Sequence, residues 1–422
     1  MQPFTLLIKP SGSDCNVDCA YCFYKCRAPE LGRGRQRMSE VVLAKLVQDY
    51  MGLRFPLSGF AWQGGEPTLM GLDFYRRAVE LQKQHGAPGQ EVGNSIQTNA
   101  ILLDDEWCRF LHESKFLVGI SIDGPQDLHD RYRLDLGGHG TFDRVVRAIE
   151  CCQQHDVEFN TLTLVNHLTA DHPDEIFDFL IDLGVRYLQF IPCVETDPQT
   201  GQIAEFSVSP GQYGRFLCRM FDRWMQFGVD KLSIRDFDSI LTWCLEGRHS
   251  ICTFGRQCSQ YIVIEHTGDA FPCDFFVEPQ WKLGNILETP IERLAASPAK
   301  RAFARRKQNL CNKCLICRHL DLCRGGCMKD RAPRGEGVPS LRPAGIPSAS
   351  LRAGLTAQRD EQGQDALATK DKGKMPSPQD NHGRESYFCA SYRQFFDYAM
   401  PRFMETASRV RSGALVRPER LV

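Results

Sequence analysis

The sequence lacks several features that would assign a chain of this length to a common class. Its 422 residues include 51 lysines and arginines against 52 aspartates and glutamates, so no excess of positive charge predicts binding to nucleic acid or an acidic membrane surface. No apolar run approaches the roughly 20 residues that a membrane-spanning helix needs. Residues 1–15 lack a basic segment followed by a long apolar stretch, so we expect no secretory signal and a cytoplasmic protein.

Cysteine, by contrast, is abundant, with 19 residues that fall mainly into two dense groups. The first group spans residues 15–26 and the second spans residues 252–327, with Cys389 beyond it. Disulfide scaffolds are short secreted chains, whereas clustered cysteines in a reducing compartment more often bind metal. The grouping therefore favours metal sites. Six other cysteines lie in apolar or amphipathic segments, where most are expected to pack as small apolar side chains: Cys108, Cys151, Cys152, Cys193, Cys218 and Cys244.

Strand-like and helix-like segments alternate from the start of the chain to about residue 230. Short apolar runs predict strands over residues 4–8, 59–62, 95–98, 117–122, 159–165 and 187–191. Amphipathic patterns predict helices over residues 40–50, 72–83, 105–114, 142–155 and 174–183, with capping residues at Ser39, Asp104, Thr141 and Asp174. Six such units in succession predict an α/β fold with a parallel sheet covered by helices, but periodicity does not distinguish an open sheet from a partial barrel.

The pattern changes near residue 250. Two short strands, over residues 261–265 and 270–272, flank His-Thr-Gly-Asp and predict a β-hairpin. A loop-rich segment with many cysteines follows, and residues 331–385 are so poor in aromatic side chains that we predict a disordered insertion. Residues 387–400 predict a closing helix. We therefore divide the chain into residues 1–235, 236–330, the insertion 331–385 and a C-terminal segment 386–422.

The first cysteine group contains C-x3-C-x2-C, formed by Cys15, Cys19 and Cys22 just after the first strand. Four thiolates would saturate a [4Fe–4S] cluster, whereas three leave one iron open to a ligand. An open position distinguishes a reactive metal site from a closed structural one. On spacing alone, a zinc site with a fourth ligand elsewhere in the chain is the alternative.

This loop, with Tyr21 before the last cysteine, resembles that of the radical S-adenosylmethionine superfamily. The resemblance implies a partial (β/α)6 barrel, a [4Fe–4S] cluster on Cys15, Cys19 and Cys22, and S-adenosylmethionine bound at the open iron. That cofactor is cleaved to a 5′-deoxyadenosyl radical in such enzymes. Cys26 lies outside the spacing and is not expected to be a ligand.

Further motifs strengthen the resemblance. Gly64-Gly65-Glu66-Pro67 follows the second strand and is similar to the motif that binds the methionine amino group, since glycine permits close approach and a carboxylate receives an ammonium. Without the cysteine loop before it, this motif would indicate only a turn. The resemblance also implies that Tyr21 and Ser121 contact the cofactor. Either Arg133 or Arg144 would pair with its carboxylate, unless both are surface residues at a helix start.

The second cysteine group, together with Cys389, closely resembles the SPASM extension of radical enzymes that modify peptides. Eight thiolates suffice for two closed clusters, which would bring the total to three [4Fe–4S] clusters. Two zinc sites without a redox role are the alternative. The resemblance assigns Cys252, Cys258, Cys273 and Cys327 to one cluster, and Cys314, Cys317, Cys323 and Cys389 to the other. Cys311 is left over, and the segment of about sixty residues before Cys389 is longer than is usual for this extension.

Within this group, the chain resembles the anaerobic sulfatase-maturating enzymes almost throughout, apart from the insertion. The resemblance rests on residues 62–67, 95–99, 189–191, 233–235, 272–276 and 283–286. It implies oxidation of a cysteine or serine of a sulfatase polypeptide to Cα-formylglycine, with a flavodoxin or ferredoxin as electron donor. Asp274 would be the general base, because aspartate is normally ionised at neutral pH and can accept a proton. Tyr24 and Gln63 would hold the substrate.

Three alternatives remain at this stage. Asp274 is also explained as a turn residue that bonds its own backbone. A related SPASM enzyme could instead form thioether or carbon–carbon crosslinks in a small peptide, although such enzymes often carry an N-terminal recognition domain for which Cys15 leaves no room. A non-catalytic adaptor stapled by zinc is the alternative from a different class.

Overall fold

The computed structural model describes residues 2–25, 35–197, 200–331 and 384–415. Within these residues the strands form a single mixed sheet in the order β10-β9-β8-β1-β2-β3-β4-β5-β6-β7. The ten strands are β1 (Thr5–Lys9), β2 (Leu57–Trp62), β3 (Glu91–Thr98), β4 (Leu117–Ser121), β5 (Phe159–Val165), β6 (Tyr187–Pro192), β7 (Ser233–Ile234), β8 (Tyr261–Glu265), β9 (Asp269–Phe271) and β10 (Gly284–Asn285).

Strands β1 to β7 pair in parallel with their neighbours in chain order, as the alternation of strands and helices predicts. The predicted α/β fold with a parallel sheet is therefore confirmed. Strand β8 adds to β1 in parallel, with Lys9 opposite Glu265, and β9 and β10 follow as antiparallel strands. Since the carboxyl ends of parallel strands meet at one edge of the sheet, the loops after β1 to β6 and after β8 converge there.

Helices connect these strands and cover the sheet. In the described residues they are α1 (Glu40–Gly52), α2 (Leu72–His85), α3 (Asp105–Glu113), α4 (Gln126–His129), α5 (Phe142–Gln154), α6 (Pro173–Asp182), α7 (Pro210–Phe227), α8 (Arg235–Glu246), α9 (Ile291–Ala295), α10 (Pro298–Arg306), α11 (Asn312–Leu315), α12 (Leu320–Cys323) and α13 (Cys389–Arg411). No helix in the part of the chain described here combines the length and the apolar character that crossing a membrane requires.

Helix starts follow the expected capping chemistry in two cases. Ser39 accepts a hydrogen bond from the Val42 amide, and Asp104 accepts one from the Trp107 amide. The prediction of a cap at Asp174 is wrong. Helix α6 begins one residue earlier, at Pro173, whose fixed φ suits the first helical position. Thr141 occupies the N-cap position of α5 but makes no capping bond with its side chain.

The C-terminal helix α13 packs on α7 and α8 through an aromatic cluster. Phe221, Phe237, Phe395 and Phe403 contact one another there and are all buried. This packing fixes the first residue of α13, Cys389, beside the second cysteine group. The predicted closing helix is confirmed over Cys389–Arg411. Cys26, nearly all of the predicted insertion (residues 332–383) and residues 416–422 lie outside the described residues.

Candidate active site

The three cysteines of the first group lie in the loop after β1, at the carboxyl edge of the sheet. Burial, with contributions from Glu66 and the other two thiols, raises the pKa of Cys15 to about 12. Burial also raises the pKa of Cys19 to about 11, although Arg133 opposes the shift. Thiols buried in this way give up their protons when they bind a metal cation, because the cation stabilises the thiolate. The chemistry of these side chains therefore fits an iron–sulfur cluster.

Nitrogen donors point at the sulfur atoms of this loop. The Val17 amide donates to Cys15 Sγ at 3.4 Å, and the Asn99 side-chain amide lies 3.7 Å from the same atom. Arg133 Nη1 lies 3.9 Å from Cys19 Sγ. Such donors stabilise thiolates and tune the potential of iron–sulfur clusters. Asn99 is among the residues 95–99 that carry the family resemblance but was assigned no role there; it follows β3 and reaches the loop only through the fold.

The Gly64-Gly65-Glu66-Pro67 loop lies directly against the cysteine loop. The Gly65 amide donates to the Gly12 carbonyl at 2.8 Å, and the Glu66 amide donates to the Asp14 carbonyl at 2.8 Å. A Cβ atom on Gly65 would lie 2.0 Å from the Asp14 carbonyl oxygen, so only glycine fits there. The structure thus joins two motifs that are about fifty residues apart in the sequence.

The Glu66 carboxylate is fully buried and held by protein donors. Its Oε1 accepts hydrogen bonds from the Thr68 amide, the Thr68 hydroxyl and the Thr98 hydroxyl, at 2.6–2.9 Å. Its Oε2 accepts a hydrogen bond from the Asn99 backbone amide at 2.8 Å. Burial raises the pKa of Glu66, and these four hydrogen bonds oppose the shift. Within the described residues Oε2 has a single donor, which leaves it capacity for the ammonium that the sequence predicts.

Asp123 follows β4 by two residues, is buried, and was assigned no role from the sequence. It is inaccessible to solvent, and Arg133 donates to both its oxygens, at 2.9 and 3.3 Å. The Tyr21 hydroxyl also bonds to this carboxylate. Arg144 instead pairs with Asp135 at 2.7 Å. The structure therefore brings Arg133 and Tyr21, but not Arg144, into one network with Cys19. Ser121 ends β4 two residues before Asp123, at the same edge of the sheet.

His129 is hydrogen-bonded to this network and has a lowered pKa. Its Nδ1 accepts from the Asp123 amide at 3.3 Å, and its Nε2 lies 3.0 Å from the Thr141 hydroxyl. Burial, and to a lesser extent the Arg133 charge, lowers the pKa of His129 to about 4. His129 therefore gains a proton near pH 6.5 in the unfolded chain but only near pH 4 in the folded chain. The stability from this site is present above about pH 6.5 and is lost as the pH falls towards 4.

We expect the His129→Gln variant to lose this pH dependence. Between about pH 7 and pH 5, the free energy of unfolding of the unmodified chain should fall by about 2 kcal/mol more than that of the variant. Urea denaturation of the anaerobic, iron-loaded protein at both pH values measures the difference. His172→Gln, at an exposed histidine, is the control and should behave like the unmodified chain. Parallel pH profiles for His129→Gln and the unmodified chain would contradict the prediction.

Asp274 lies after β9, where it pairs with a buried lysine. Its Oδ1 contacts Lys9 Nζ, and the Asp274 side chain is 17% exposed. Lys9 Nζ also lies 4.2 Å from the centre of the Tyr24 ring, and the Tyr24 hydroxyl bonds to the buried Glu265. Gln63 follows β2, and its backbone amide donates to the Ile8 carbonyl at 2.8 Å. Tyr24 and Gln63 therefore come from loops at the carboxyl edge of the sheet, whereas Asp274 follows the antiparallel strand β9 and is brought to them by its contact with Lys9, at the end of β1.

The second cysteine group separates into two sets of neighbouring thiols. Burial raises the pKa of Cys258, and the adjacent Cys252 raises it further. Burial and then Cys327 raise the pKa of Cys273. Burial, together with the nearby Asp330 and Cys252, raises the pKa of Cys327 to about 12. The structure thus brings together the same four cysteines that the resemblance assigns to one cluster.

The other set lies between α11, α12 and the start of α13. Burial raises the pKa of Cys314 to about 12, and Cys311 and Cys323 add to the shift. Burial raises the pKa of Cys323, to which Cys317 also contributes, and it raises that of Cys389 to about 12, where Cys323 and Cys314 again contribute. Cys311, which the sequence left over, lies 3.5 Å from Cys314, sulfur to sulfur. This set therefore holds five thiols rather than four.

Buried cations flank both sets. Lys307 is 1% exposed and donates to the Cys252 and Thr253 carbonyls, at 2.6 and 2.7 Å. Arg331 donates to the Gly325 and Lys307 carbonyls, at 2.9 and 2.8 Å. Among the residues that the structure describes, neither cation forms an ion pair with a carboxylate, which suits a site that gains negative charge, as four thiolates around iron would supply.

Comparison with known proteins agrees with this geometry. The profile of the Radical SAM superfamily matches residues 10–180, and that of the SPASM iron–sulfur cluster-binding domain matches residues 252–318. The solved structure of native anSMEcpe with bound AdoMet and Cp18Cys peptide superposes with a TM-score of 0.81. It shares 32% identity and covers 97% of this chain and 100% of that one.

Two curated relatives have the same breadth of similarity. The serine-type anaerobic sulfatase-maturating enzyme of Bacteroides thetaiotaomicron is 37% identical over 81% of this chain and 86% of its own length. The cysteine-type enzyme of Clostridium perfringens strain ATCC 13124 is 32% identical over 97% of this chain and 100% of its own. The chain therefore belongs to the family of anaerobic sulfatase-maturating enzymes, within the radical SAM proteins that carry a SPASM domain.

Proposed function

We propose that this chain oxidises a cysteine or serine side chain of a sulfatase polypeptide to Cα-formylglycine. The observation that carries the proposal is that the three-cysteine loop and the glycine-rich loop lie against each other at the carboxyl edge of the sheet, where Lys9, at the end of β1, also contacts the Asp274 carboxylate. Family membership supports the reaction, and both serine-type and cysteine-type enzymes are among the relatives. The target residue is therefore proposed as either of the two.

The residues around the first thiols are suited to hold the cofactor. Cys15, Cys19 and Cys22 would ligate a [4Fe–4S] cluster, and S-adenosylmethionine would bind beside it against Gly65, Glu66 and Ser121. When bound, this pair supplies the radical that removes a hydrogen atom from the substrate Cβ. The AdoMet present in the anSMEcpe structure supports the assignment. Arg133 is bonded to Asp123 and faces Cys19, so we assign it to the cluster side and leave Arg144 out.

The chain's own groups then handle the substrate. Tyr24 and Gln63 would orient the peptide, and Asp274 would accept the proton of the substrate thiol or hydroxyl. Oxidation to the aldehyde level removes two hydrogens in total: one leaves carbon as an atom, and the other leaves sulfur or oxygen as a proton and an electron. A serine gives the aldehyde directly, whereas a cysteine gives a thioaldehyde that water hydrolyses with release of hydrogen sulfide.

The second cysteine group would provide the route for the remaining electron. We assign Cys252, Cys258, Cys273 and Cys327 to one [4Fe–4S] cluster, and Cys314, Cys317, Cys323 and Cys389 to another, which makes three clusters in all. Clusters of this type, when present, accept or relay one electron. A flavodoxin or ferredoxin would deliver the electron that starts each turnover. We keep the four segments defined from the sequence as the proposed domain division.

Replacing Cys252 or Cys314 by serine should lower iron content and stability together. Each variant loses one thiolate of a four-ligand set, so we expect roughly a third less iron and a lower melting temperature, because metal binding contributes to folding. Iron and sulfide analysis and thermal unfolding under nitrogen measure both quantities. Cys218→Ser, at a thiol of α7 outside both sets, is the control. Unchanged iron with full activity in both variants would show that this group does not ligate.

The proposed reaction is tested by anaerobic incubation with a short peptide of the pattern Cys-x-Pro-x-Arg, and with its serine counterpart. Mass spectrometry should detect loss of two hydrogens from the serine peptide and exchange of sulfur for oxygen, with loss of two hydrogens, in the cysteine peptide. Both products should react with a hydrazine reagent for aldehydes. A product that loses two hydrogens but resists the reagent would instead indicate a crosslink and overturn the proposal.

A further inference from the structure

Lys9 is a buried cation to which no motif assigns a role. It is the last residue of β1, and its side chain is only 2% exposed. A buried ammonium group destabilises a protein unless a negative partner compensates it. The partner is Asp274, whose Oδ1 contacts Lys9 Nζ as an ion pair. The two residues are 265 positions apart, so this contact exists only because β8 adds to β1.

The register of the sheet explains why the pair forms. Lys9 lies opposite Glu265 in the pairing of β1 with β8, and the hairpin that follows returns the chain to Asp274. Glu265 is itself buried and bonds to the Tyr24 hydroxyl, and His266 Nδ1 lies 4.0 Å from its other oxygen. Glu265 is therefore bonded to Tyr24 through one oxygen, while Lys9 is paired with Asp274.

The Lys9 side chain also contacts both halves of the candidate site. Its ammonium group lies 4.2 Å from the centre of the Tyr24 ring, a cation–π contact. Its Cδ lies 3.2 Å from where a Cβ atom on Gly64 would stand, so its methylene chain passes directly beneath the glycine-rich loop. Lys9 thus links the proposed cofactor side, through Gly64, with the proposed substrate side, through Tyr24 and Asp274.

Resting on the function proposed above, we propose that Lys9 is a positioning residue that fixes the Asp274 carboxylate and the Tyr24 ring relative to the bound peptide. By holding Oδ1, it directs the other oxygen, Oδ2, towards the partly open face of Asp274. A proton acceptor works only within hydrogen-bond reach of its donor, so the orientation of this carboxylate governs peptide oxidation. Reductive cleavage of S-adenosylmethionine, which needs no peptide, does not require it.

The test compares Lys9→Met and Lys9→Arg with the unmodified chain, all reconstituted anaerobically. In Lys9→Met, kcat for formylglycine formation should fall by about 100-fold, as expected for a displaced reactive group, while the KM for the peptide changes less. Formation of 5′-deoxyadenosine without peptide should persist, so more of it is made per formylglycine. Lys9→Arg keeps the charge and should recover much of the lost rate.

Lys282→Met is the matched control, because Lys282 pairs with Asp269 at 2.8 Å in the same hairpin but is 42% exposed. It should retain normal coupling of the two products. Normal coupling in Lys9→Met would overturn the inference. Equal loss of iron, 5′-deoxyadenosine and formylglycine in Lys9→Met would also overturn it, since the role would then be purely structural. A kcat for formylglycine formation in Lys9→Arg no higher than that in Lys9→Met would overturn it as well. Failure of the unmodified chain to make formylglycine would instead overturn the proposed function itself.

Discussion

Replacing Cys19 by alanine is expected to reduce 5′-deoxyadenosine formation to below about a thousandth of the rate of the unmodified chain, because enzymes accelerate such steps by many orders of magnitude. The reason lies in ligand number. Three thiolates leave a single iron open, whereas two leave a second iron without a protein ligand, and the cluster is no longer retained. Burial raises the pKa of Cys19 to about 11, so its sulfur lies largely away from water in the cysteine loop.

The measurement is chromatography of 5′-deoxyadenosine after anaerobic reduction with dithionite in the presence of S-adenosylmethionine. Cys218→Ala is the matched control, since Cys218 lies on α7, apart from the three sets of thiols. Iron in Cys19→Ala should fall by roughly a third, because the two other sets keep their clusters. Normal 5′-deoxyadenosine formation by Cys19→Ala would remove this loop from the chemistry. Uptake of zinc in place of iron by the unmodified chain would do the same.

The six strand–helix units could be predicted because each signal is local. Apolar runs bounded by polar segments located β1 to β6, and the hairpin around Gly268 followed from turn chemistry. Boundaries were less accurate: β3 begins at Glu91 rather than at residue 95, because its first residues are exposed and carry no apolar alternation. The predicted cap at Asp174 was also wrong, because the helix starts at Pro173 and the Asp174 side chain pairs with Arg219 and Arg223.

The candidate site was only partly predictable. Cysteine spacing identified the first loop, but the division of the second group into two interleaved sets came from family resemblance, because it depends on where α13 packs. Periodicity carries no information on which buried charges meet. The pairs Asp123–Arg133 and Lys9–Asp274 arise from loop geometry and from the addition of β8 to β1. The same geometry separated Arg133 from Arg144, which the sequence treated as equivalent.

Replacing Asp274 by asparagine should abolish formylglycine formation while sparing reductive cleavage of S-adenosylmethionine. Asparagine keeps the shape of the side chain but cannot accept a proton, and a positioned base contributes about 10²- to 10⁴-fold to the rate. Its amide also leaves the ammonium group of Lys9 unpaired in a buried site, which adds to the loss. Cleavage of the cofactor depends on the first thiol loop, with which Asp274 forms no hydrogen bond or ion pair within the described residues.

Asp269→Asn separates this effect from a general effect of the hairpin. Asp269 pairs with Lys282 on the same hairpin, and its side chain is 25% exposed. Both variants should bind iron and make 5′-deoxyadenosine alike, but only Asp269→Asn should oxidise the peptide at the normal rate. Peptide oxidation at the normal rate by Asp274→Asn would show that the carboxylate is a turn residue held by Lys9. The proton would then have to leave the substrate by another route, for which a buried candidate is Glu265, which bonds to Tyr24.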